Sequence, residues 1–286
     1  MPICSSSVLV TLFSSPWCQV YLIQDVNLTG QVAVVTGGGR GLGRAIALRL
    51  AAAGAHVAIV ARSADQLAAT VAQIHLAGGH AQAFVADVTN QQAVQEMALA
   101  VERALGPVSL LVNNAGIGGP VGPLWENDPL EWWRCVEINL RGTFLCCQAV
   151  APGMIARRQG RIVNMVSDAG TLVLSYLSAY VVGKTALIRL TEVLAQELQP
   201  HGVSAFAVIP GTVRTALTEE LLSSSDALQW LPWAGQIFQE GIDVPPELVA
   251  KLILALASGK ADGLTGQVVS VTDDLAQRID ELVENR

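Results

Sequence analysis

The chain has few charged and few aromatic side chains for its length. Of its 286 residues, 14% are charged and 5% are aromatic, while 51% are hydrophobic. This composition is too apolar for an intrinsically disordered chain, and its apolar runs are too often interrupted for a bundle of membrane helices. The net charge is −7 at pH 7, and the sequence contains no block of Lys or Arg. We therefore expect neither nucleic acid nor a membrane as a partner.

The cysteines lack the spacing of a metal site or a disulfide framework. None of the five belongs to a CxxC pair, and none lies in a cluster with histidines. We therefore expect no metal site. Cys146 and Cys147 fall in an apolar helical stretch and are most simply interpreted as core residues. This cysteine usage is typical of a protein of the reducing cytoplasm.

The N-terminal segment contains nothing that chemistry at a site would need. Residues 1–24 carry no charge, and the apolar run Val8–Phe13 is followed by Ser-Ser-Pro. The run is far shorter than the ~20 residues of a membrane-spanning helix, and no basic start indicates a secretory signal. We expect residues 1–27 to lie outside the core, either as a loosely ordered extension or as a stretch upstream of a translation start at Val26. The catalytic domain is then 28–286.

After the N-terminal segment, short β-branched runs alternate with longer helical patterns. The predicted strands are Gln31–Thr36, His56–Ala61, Ala81–Ala86, Val108–Asn113, Arg161–Ser167, Val203–Ile209 and Gln267–Val271. The predicted helices are Leu42–Ala53, Ala64–Ala77, Gln91–Leu105, Leu130–Arg157, Ala179–Gln199 and Pro246–Ala257. This alternation predicts a single-domain α/β fold, a doubly wound parallel sheet with helices on both faces. The long stretch that does not follow this alternation, about 216–245, is predicted to form a lid over the substrate.

A glycine-rich segment joins the first predicted strand to the first predicted helix. Its residues are Thr36, Gly37, Gly38, Gly39, Arg40, Gly41, Leu42 and Gly43. A dinucleotide needs backbone amides close to its pyrophosphate, and a following helix N-terminus attracts the anionic phosphates. Glycines at such a turn also serve tight packing of strand against helix, which leaves both interpretations open. The position within a βαβ unit favours the phosphate site.

The end of the second predicted strand indicates which dinucleotide is bound. An acid commonly stands there in NAD-binding proteins and accepts hydrogen bonds from the ribose hydroxyls. Here the position holds Ala61, followed by Arg62, while Arg40 lies in the glycine-rich segment. Two guanidinium groups suit a 2′-phosphate, so NADP(H) is the preferred cofactor and NAD(H) remains possible. The alternative is that both arginines are solvated surface residues.

Tyr180 and Lys184 are four residues apart on one predicted helix and therefore share a face. A neighbouring ammonium favours the phenolate, so we expect the lysine to lower the tyrosine pKa. Such a pair is common by chance on helices. Two further polar residues accompany it: Ser167, predicted to end a strand, and Asn139, on the helix that follows the fourth predicted strand.

In order and spacing, these motifs resemble those of the short-chain dehydrogenase/reductase family. The resemblance runs from about Leu28 to Val271. It rests on a TGxxxGxG loop, an NNAG turn at 113–116, the Asn–Ser–Tyr–Lys set and a PGxVxT segment at 210–215.

The resemblance implies a role for each of the four polar residues. Tyr180 would exchange a proton with the substrate oxygen, and Ser167 would hydrogen-bond that oxygen. Lys184 would bind the nicotinamide ribose, and Asn139 would hold a water that connects the lysine to solvent. Asp168, the neighbour of Ser167, is interpreted as a loop residue without a catalytic role.

The resemblance also extends the cofactor site beyond the glycine-rich segment. The further cofactor-binding residues it implies are Asp87, Val88, Asn114, Ala115, Gly116, Tyr180, Lys184, Pro210, Gly211, Val213 and Thr215. Asp87 would contact adenine; the alternative is that it caps the helix starting at Gln91, a role for which Asn90 competes. Val213 and Thr215 would orient the carboxamide.

These features predict an NADP(H)-dependent oxidoreductase that interconverts a carbonyl compound and a secondary alcohol. The alternative is a non-catalytic NADP(H)-sensing protein on the same fold. Trp230, Trp233 and Phe238 in the lid favour an apolar substrate, or else serve ordinary packing. The resemblance further implies a homotetramer or homodimer, paired through the helices that contain Asn139 and Tyr180.

Overall fold

The fold is built on one parallel sheet, described for residues 26–284 in a computed structural model. The strands are β1 (Val32–Thr36), β2 (His56–Ala61), β3 (His80–Val85), β4 (Val108–Asn113), β5 (Gly160–Met165), β6 (Val203–Ile209) and β7 (Val268–Ser270). Their order across the seven-stranded sheet is β3-β2-β1-β4-β5-β6-β7. This is the doubly wound arrangement predicted from the sequence. The predictions for residues 1–25 lie outside the described residues.

Helices cover both faces of the sheet. They are α1 (Gly41–Ala52), α2 (Ala64–Leu76), α3 (Gln91–Leu105), α4 (Pro129–Val136), α5 (Gly142–Arg157), α6 (Ser178–Leu198), α7 (Ala216–Leu222), α8 (Ser225–Trp230), α9 (Ala234–Gln239), α10 (Pro246–Ala257) and α11 (Leu275–Glu284). Among the helices within residues 26–284, none is long and apolar enough to cross a membrane.

The core consists of two apolar layers that the sheet separates. On one face, Ile46 of α1 and Ile253 of α10 pack against Val35 and Ile59. On the other, α3 and α5 pack against the neighbouring positions of the same strands, with Met154 fully buried. Because both faces are covered, the central strands are apolar throughout rather than alternating. The buried thiols of Cys146 and Cys147 belong to the second layer, as predicted.

The predicted helix Leu130–Arg157 is continuous in the structure, but it is not a regular α-helix throughout. The structure divides it into α4 and α5, which are joined by a π-helical turn at Glu137–Arg141. Within this turn the side-chain amide of Asn139 donates a hydrogen bond to the carbonyl of Cys135 at 2.9 Å. In a regular α-helix this carbonyl would accept a hydrogen bond from the backbone amide of Asn139. Here the side chain takes that place, and the helix forms one wider turn.

Three other features of the structure differ from the sequence predictions. The fifth strand ends at Met165, so Ser167 lies two residues beyond it and caps the short turn Asp168–Gly170. The long stretch after the sixth strand contains three short helices, α7 to α9, and α11 was not predicted at all.

The fold places the loops that follow β1, β2 and β4 at one edge of the sheet. The chain leaves β1 towards β2 on one side, and β4 lies on the other side of β1. Helices that follow strands on the two sides cover opposite faces, so a crevice opens between their first turns. Ligands of doubly wound sheets bind in this crevice.

Candidate active site

A cleft of about 470 Å³ occupies the crevice at the carboxyl ends of the strands. Most of the predicted site residues line it: Gly37, Gly39, Arg40, Gly41, Leu42, Gly43, Arg62, Asp87, Val88, Asn114, Ala115, Gly116, Asn139, Tyr180, Lys184, Pro210, Gly211, Val213 and Thr215. Two predicted residues are not in its wall. Thr36 is buried beneath the glycine-rich loop, and Ser167 follows Val166, which does line the cleft.

The glycines of the loop are required by the backbone and by the space around it. Gly37 and Gly41 have φ angles of +66° and +53°, which residues with a Cβ rarely adopt. A Cβ on Gly43 would lie 2.3 Å from the carbonyl oxygen of Gly37. These residues therefore let the first turn of α1 approach the end of β1 closely, which leaves room for a ligand above the loop.

Thr36 connects the loop to the segment after β4. Its hydroxyl accepts hydrogen bonds from the backbone amides of Asn114 and Ala115 at 3.0 and 3.1 Å. In return, the Asn114 side chain donates to the carbonyl of Thr36 at 3.0 Å. This exchange fixes the spacing between the two loops, so the role of Thr36 in the site is indirect.

The N-terminus of α1 faces the cleft without a capping side chain. Arg40 occupies the N-cap position and makes no side-chain cap hydrogen bond, and the first turn contains no acid. The free amides and the positive end of the helix dipole are therefore available to an anion.

Two arginines stand at the cleft rim, each near a carboxylate. Arg40 lies 3.8 Å from Glu220, and Arg62 lies 3.9 Å from Asp87. Both guanidinium groups are more than half exposed, so these ion pairs are weak and do not prevent the arginines from binding another anion.

Asp87 is held by its own loop rather than by the helix that follows. Its carboxylate accepts hydrogen bonds from the backbone amide and the hydroxyl of Thr89, at 2.9 and 2.8 Å. Burial alone would raise the pKa of Asp87, but the Thr89 hydrogen bonds and the charge of Arg62 hold it below its ordinary value. Asn90 caps α3, so the alternative of Asp87 as the helix cap is wrong.

Lys184 is buried on α6 and points to the end of β5. Its ammonium donates a 2.8 Å hydrogen bond to the carbonyl of Met165 and lies 5.6 Å from the centroid of the Tyr180 ring. Burial lowers the pKa of Lys184 to about 8.

The expectation that Lys184 lowers the tyrosine pKa is not met in the structure as it stands. Burial raises the pKa of Tyr180; a hydrogen bond with Ser167 lowers it, and the charges of Cys135 and Asp168 raise it further. The physical reason is that burial of the phenol dominates, while the ammonium donates its hydrogen bond to the Met165 carbonyl.

Asn139 is the most strongly fixed of the four predicted polar residues. Its amide nitrogen donates to the carbonyl of Ile117 at 2.8 Å and also contacts the Cys135 thiol at 3.3 Å. Its amide oxygen is buried and has no hydrogen-bond partner. A Cβ on Gly116 would lie 2.6 Å from that oxygen and 3.8 Å from the Lys184 ammonium, so the glycine keeps the space beside both groups open.

The lid contacts the loop that precedes α6. Trp230 of α8 stacks against Tyr176 with the ring centroids 4.8 Å apart, and Tyr176 has a φ of +69°. Phe238 lies under the guanidinium of Arg214 instead, and Trp125 is 82% exposed. Of the aromatic residues considered in the sequence, Trp230 and Trp233 are thus the two that pack in the same apolar cluster as Tyr180.

Sequence reasoning missed the backbone carbonyls that orient the site. The Met165 carbonyl receives the Lys184 hydrogen bond, and the Ile117 carbonyl receives that of Asn139. Any residue type supplies a carbonyl, so no residue-specific signal exists. Their positions, at the end of β5 and after β4, were the available indication.

Comparisons with known proteins agree with this geometry. The sequence profile of a family described as short chain dehydrogenase matches residues 31–226. A 3-oxoacyl-[acyl-carrier-protein] reductase of Synechocystis sp. is 39% identical over 249 residues, which cover 85% of this chain and 96% of the relative.

Solved structures show the same similarity. A variant of actinorhodin polyketide ketoreductase, crystallised with NADPH, superposes with a TM-score of 0.77 at 32% identity, covering 84% of this chain and 95% of the other. A metagenomic short-chain oxidoreductase in complex with NADP gives a TM-score of 0.68 at 35% identity, covering 81% and 92%. The chain belongs to the short-chain dehydrogenase/reductase family and is an oxidoreductase of the kind that acts on CH–OH groups.

Proposed function

We propose that the protein is an NADP(H)-dependent oxidoreductase that interconverts a carbonyl compound and a secondary alcohol, with Tyr180 as the general acid/base. The observation that carries the proposal is the placement of Tyr180, Lys184 and Asn139 together in the wall of the glycine-rich cleft. Ser167 completes the set, because its hydroxyl lowers the pKa of Tyr180.

The cleft fits a dinucleotide on its own geometry. The loop at Gly37–Gly43 leaves a cradle that side chains would fill, and the uncapped start of α1 provides backbone amides for a pyrophosphate. Asp87 and Arg62 would hold the adenosine end, and Lys184 and Val213 the nicotinamide end, where they line the opposite part of the same cleft. When bound, the cofactor supplies the hydride that reduces the carbonyl carbon, or accepts it in the reverse direction.

Residues of the chain transfer the proton and stabilise the charge on the substrate oxygen. In reduction the Tyr180 hydroxyl gives its proton to the carbonyl oxygen, and in oxidation the phenolate takes the alcohol proton. The raised pKa of Tyr180 keeps the hydroxyl protonated and ready to donate at neutral pH. The Ser167 hydroxyl stabilises the charge that develops on the substrate oxygen.

Lys184 and Asn139 support the return of the proton to Tyr180. The unpartnered amide oxygen of Asn139 offers an acceptor beside the space that Gly116 keeps open near the lysine. A water held by that oxygen would link the ammonium to solvent. A lysine whose pKa is lowered to about 8 releases and regains a proton readily near neutral pH.

The preference for NADP(H) over NAD(H) is part of the proposal. Ala61 stands at the end of β2, where an acid would repel a 2′-phosphate, and Arg62 and Arg40 line the same part of the cleft. Charge-assisted hydrogen bonds from guanidinium groups to phosphate are among the stronger polar contacts in proteins. The two solved relatives that carry NADPH or NADP support this choice.

We further propose an apolar small-molecule substrate and a symmetric homo-oligomer, a tetramer or dimer. The wall around Tyr180 is an apolar cluster that includes Val121 and Trp230. Exposed apolar side chains occur on α4, α5 and α6: Leu130, Trp133, Phe144, Val182 and Val193. A monomer would leave these in water, whereas pairing of the helices buries them. The free, buried thiols at Cys135, Cys146 and Cys147 fit a cytoplasmic location.

The function is tested by following NADPH absorbance with a panel of ketones and aldehydes. Consumption of NADPH with formation of the alcohol supports the proposal. A protein that binds NADPH tightly but reduces no carbonyl compound, and oxidises no secondary alcohol with NADP⁺, would instead be a sensor on this fold.

A further inference from the structure

Cys135 carries a buried thiol beside the proposed site, and the mechanism given above does not use it. The residue lies on α4 and is fully buried, although it belongs to neither apolar layer of the core. Its sulfur lies 3.3 Å from the side-chain nitrogen of Asn139 and 3.8 Å from the carbonyl oxygen of Ile117. The thiol therefore donates a hydrogen bond to the Ile117 carbonyl and accepts one from the Asn139 amide.

The packing around the sulfur leaves it little freedom to move. Gly119, in the segment that follows β4, has a φ of +73°, and a Cβ there would lie 2.6 Å from the sulfur of Cys135. The same Cβ would lie 3.7 Å from Ala179 of α6. In addition, the Trp132 indole of α4 donates a 2.9 Å hydrogen bond to the Ser178 hydroxyl at the start of α6. The thiol is thus held between the segment after β4 and the helix of the proposed catalytic pair.

The sulfur is the third acceptor around the amide nitrogen of Asn139. The other two are the carbonyl oxygens of Ile117 and Cys135, at 2.8 and 2.9 Å. An asparagine side chain has its donors at one end and its acceptor at the other, so these carbonyls direct the nitrogen towards them. Two contacts still let the amide tilt about the line that joins its acceptors, whereas a third contact fixes its plane. The buried amide oxygen, which has no partner, then faces the space beside Gly116 and the Lys184 ammonium.

We propose that Cys135 is a positioning residue for the carbonyl reduction, and that its thiol fixes the plane of the Asn139 amide so that the amide oxygen faces the space beside Lys184. The inference rests on the proposed function, in which this oxygen holds a water on the path by which Tyr180 regains its proton. Burial raises the pKa of the Cys135 thiol, against the opposing effects of the Asn139 hydrogen bond and the Lys184 charge. The thiol therefore stays neutral and acts through Asn139 alone.

The first test compares Cys135→Ser with Cys135→Ala, using NADPH and any carbonyl compound that the wild type reduces. A serine hydroxyl donates and accepts close to the position of the thiol, so Cys135→Ser should keep most of the wild-type kcat. Cys135→Ala can do neither, and its kcat should fall about threefold to tenfold while KM and NADPH affinity stay near wild type. Cys146→Ala removes an equally buried thiol from the second core layer, and it should lower stability without lowering kcat.

The solvent isotope effect on kcat separates positioning from a loss of packing. If the amide oxygen of Asn139 no longer holds its water, the return of the proton to Tyr180 slows and limits turnover. The ratio of kcat in water to kcat in D₂O should therefore be larger for Cys135→Ala than for the wild type. The ratio should be unchanged for Cys135→Ser and for the Cys146→Ala control, because neither change frees the Asn139 amide.

Infrared spectroscopy tests the contact between thiol and amide without any activity. The S–H stretching band of Cys135 is the difference between the spectra of the wild type and Cys135→Ser, and its frequency depends on the hydrogen bonds of the thiol. The same difference is recorded in the Asn139→Ala background, where loss of the donating amide should shift the band.

These measurements distinguish failure of the inference from failure of the proposed function. If the wild type reduces no carbonyl compound, the proposed function fails, and the shift of the S–H band alone decides whether Cys135 holds the Asn139 amide. The inference is overturned if the band is the same in both backgrounds or if Cys135→Ala keeps the wild-type kcat and isotope effect. It is equally overturned if Cys135→Ser is as impaired as Cys135→Ala, because packing rather than hydrogen bonding would then be the cause.

Discussion

The ammonium of Lys184 lies 5.6 Å from the centroid of the Tyr180 ring, and its 2.8 Å hydrogen bond goes to the carbonyl of Met165. The two residues share a face of α6, as their spacing requires. Burial, however, makes the charged form of the lysine costly in the absence of a ligand. A ligand with acceptor oxygens would offset this cost, because it would hydrogen-bond the charged ammonium.

The first prediction concerns stability against pH. The pKa of Lys184 is lowered from 10.5 to about 8 by burial. Between these values the unfolded chain binds the lysine proton more tightly than the folded chain does, so this residue makes stability rise with pH. Chemical denaturation of the cofactor-free protein at several pH values between 7.5 and 10 measures the effect.

The control for this prediction is the variant Lys184→Met. The buried thiols of Cys146 and Cys147 have raised pKa values and act in the opposite direction above pH 9, but they are common to both proteins. The difference in unfolding free energy, wild type minus variant, should therefore increase from pH 8 upwards. A difference that stays flat or falls would contradict the depressed lysine pKa.

The second prediction concerns cofactor choice. Arg62→Ala should weaken NADPH binding roughly tenfold or more, since a charge-assisted contact is lost, and should change NADH binding little. Fluorescence titration with both nucleotides provides the measurement. Arg49→Ala, on the exposed last turn of α1, removes the same charge away from the cleft and serves as the control. Equal weakening of both nucleotides, or a wild type that prefers NADH, would refute the assignment of Arg62.

The third prediction concerns the glycine-rich loop. A Cβ on Gly43 would meet the Gly37 carbonyl at 2.3 Å and the Asn114 amide at 2.6 Å. Gly43→Ala should therefore destabilise the protein by about 1–3 kcal/mol, and it should also weaken NADPH binding. Thermal unfolding with and without NADPH separates the two effects. Gly235→Ala, also helical but with open space around it, should be neutral or stabilising. Similar behaviour of the two variants would contradict the packing argument.

The fourth prediction concerns assembly. Phe144 on α5 is 44% exposed and belongs to the apolar surface of α4 to α6. Phe144→Glu should place a charge in the proposed interface and convert the oligomer to smaller species, as measured by light scattering. Leu76→Glu, at an exposed position on α2, should have no such effect. A wild-type protein that is monomeric at micromolar concentration would show that the interface does not form.

Much of the fold follows from local sequence signals, and the departures have identifiable causes. The strands His56–Ala61, Val108–Asn113 and Val203–Ile209 were predicted to the residue, because apolar runs with polar or glycine boundaries define buried parallel strands. The π-helical turn at Glu137–Arg141 was not predicted. The Asn139 amide that donates to the Cys135 carbonyl within this turn also donates to the carbonyl of Ile117, twenty-two residues earlier in the chain, and no local pattern encodes the second contact.

The candidate site was predictable in its membership but not in its electrostatics. Motif positions at strand ends are enough to bring Tyr180, Lys184 and Asn139 to one cleft. The direction of the Tyr180 pKa shift depends on burial and on which group accepts the hydrogen bond of the Lys184 ammonium.

The most direct test of the account is the activity of Tyr180→Phe, measured by NADPH absorbance on any carbonyl compound that the wild type reduces. The variant lacks only the phenolic hydroxyl, so NADPH should bind with nearly unchanged affinity. Loss of a general acid should lower kcat by a factor of about 10² to 10⁴. Intact NADPH binding together with this loss is the predicted result. A variant that retains most of the wild-type kcat would contradict the account, because another group would then have to donate the proton.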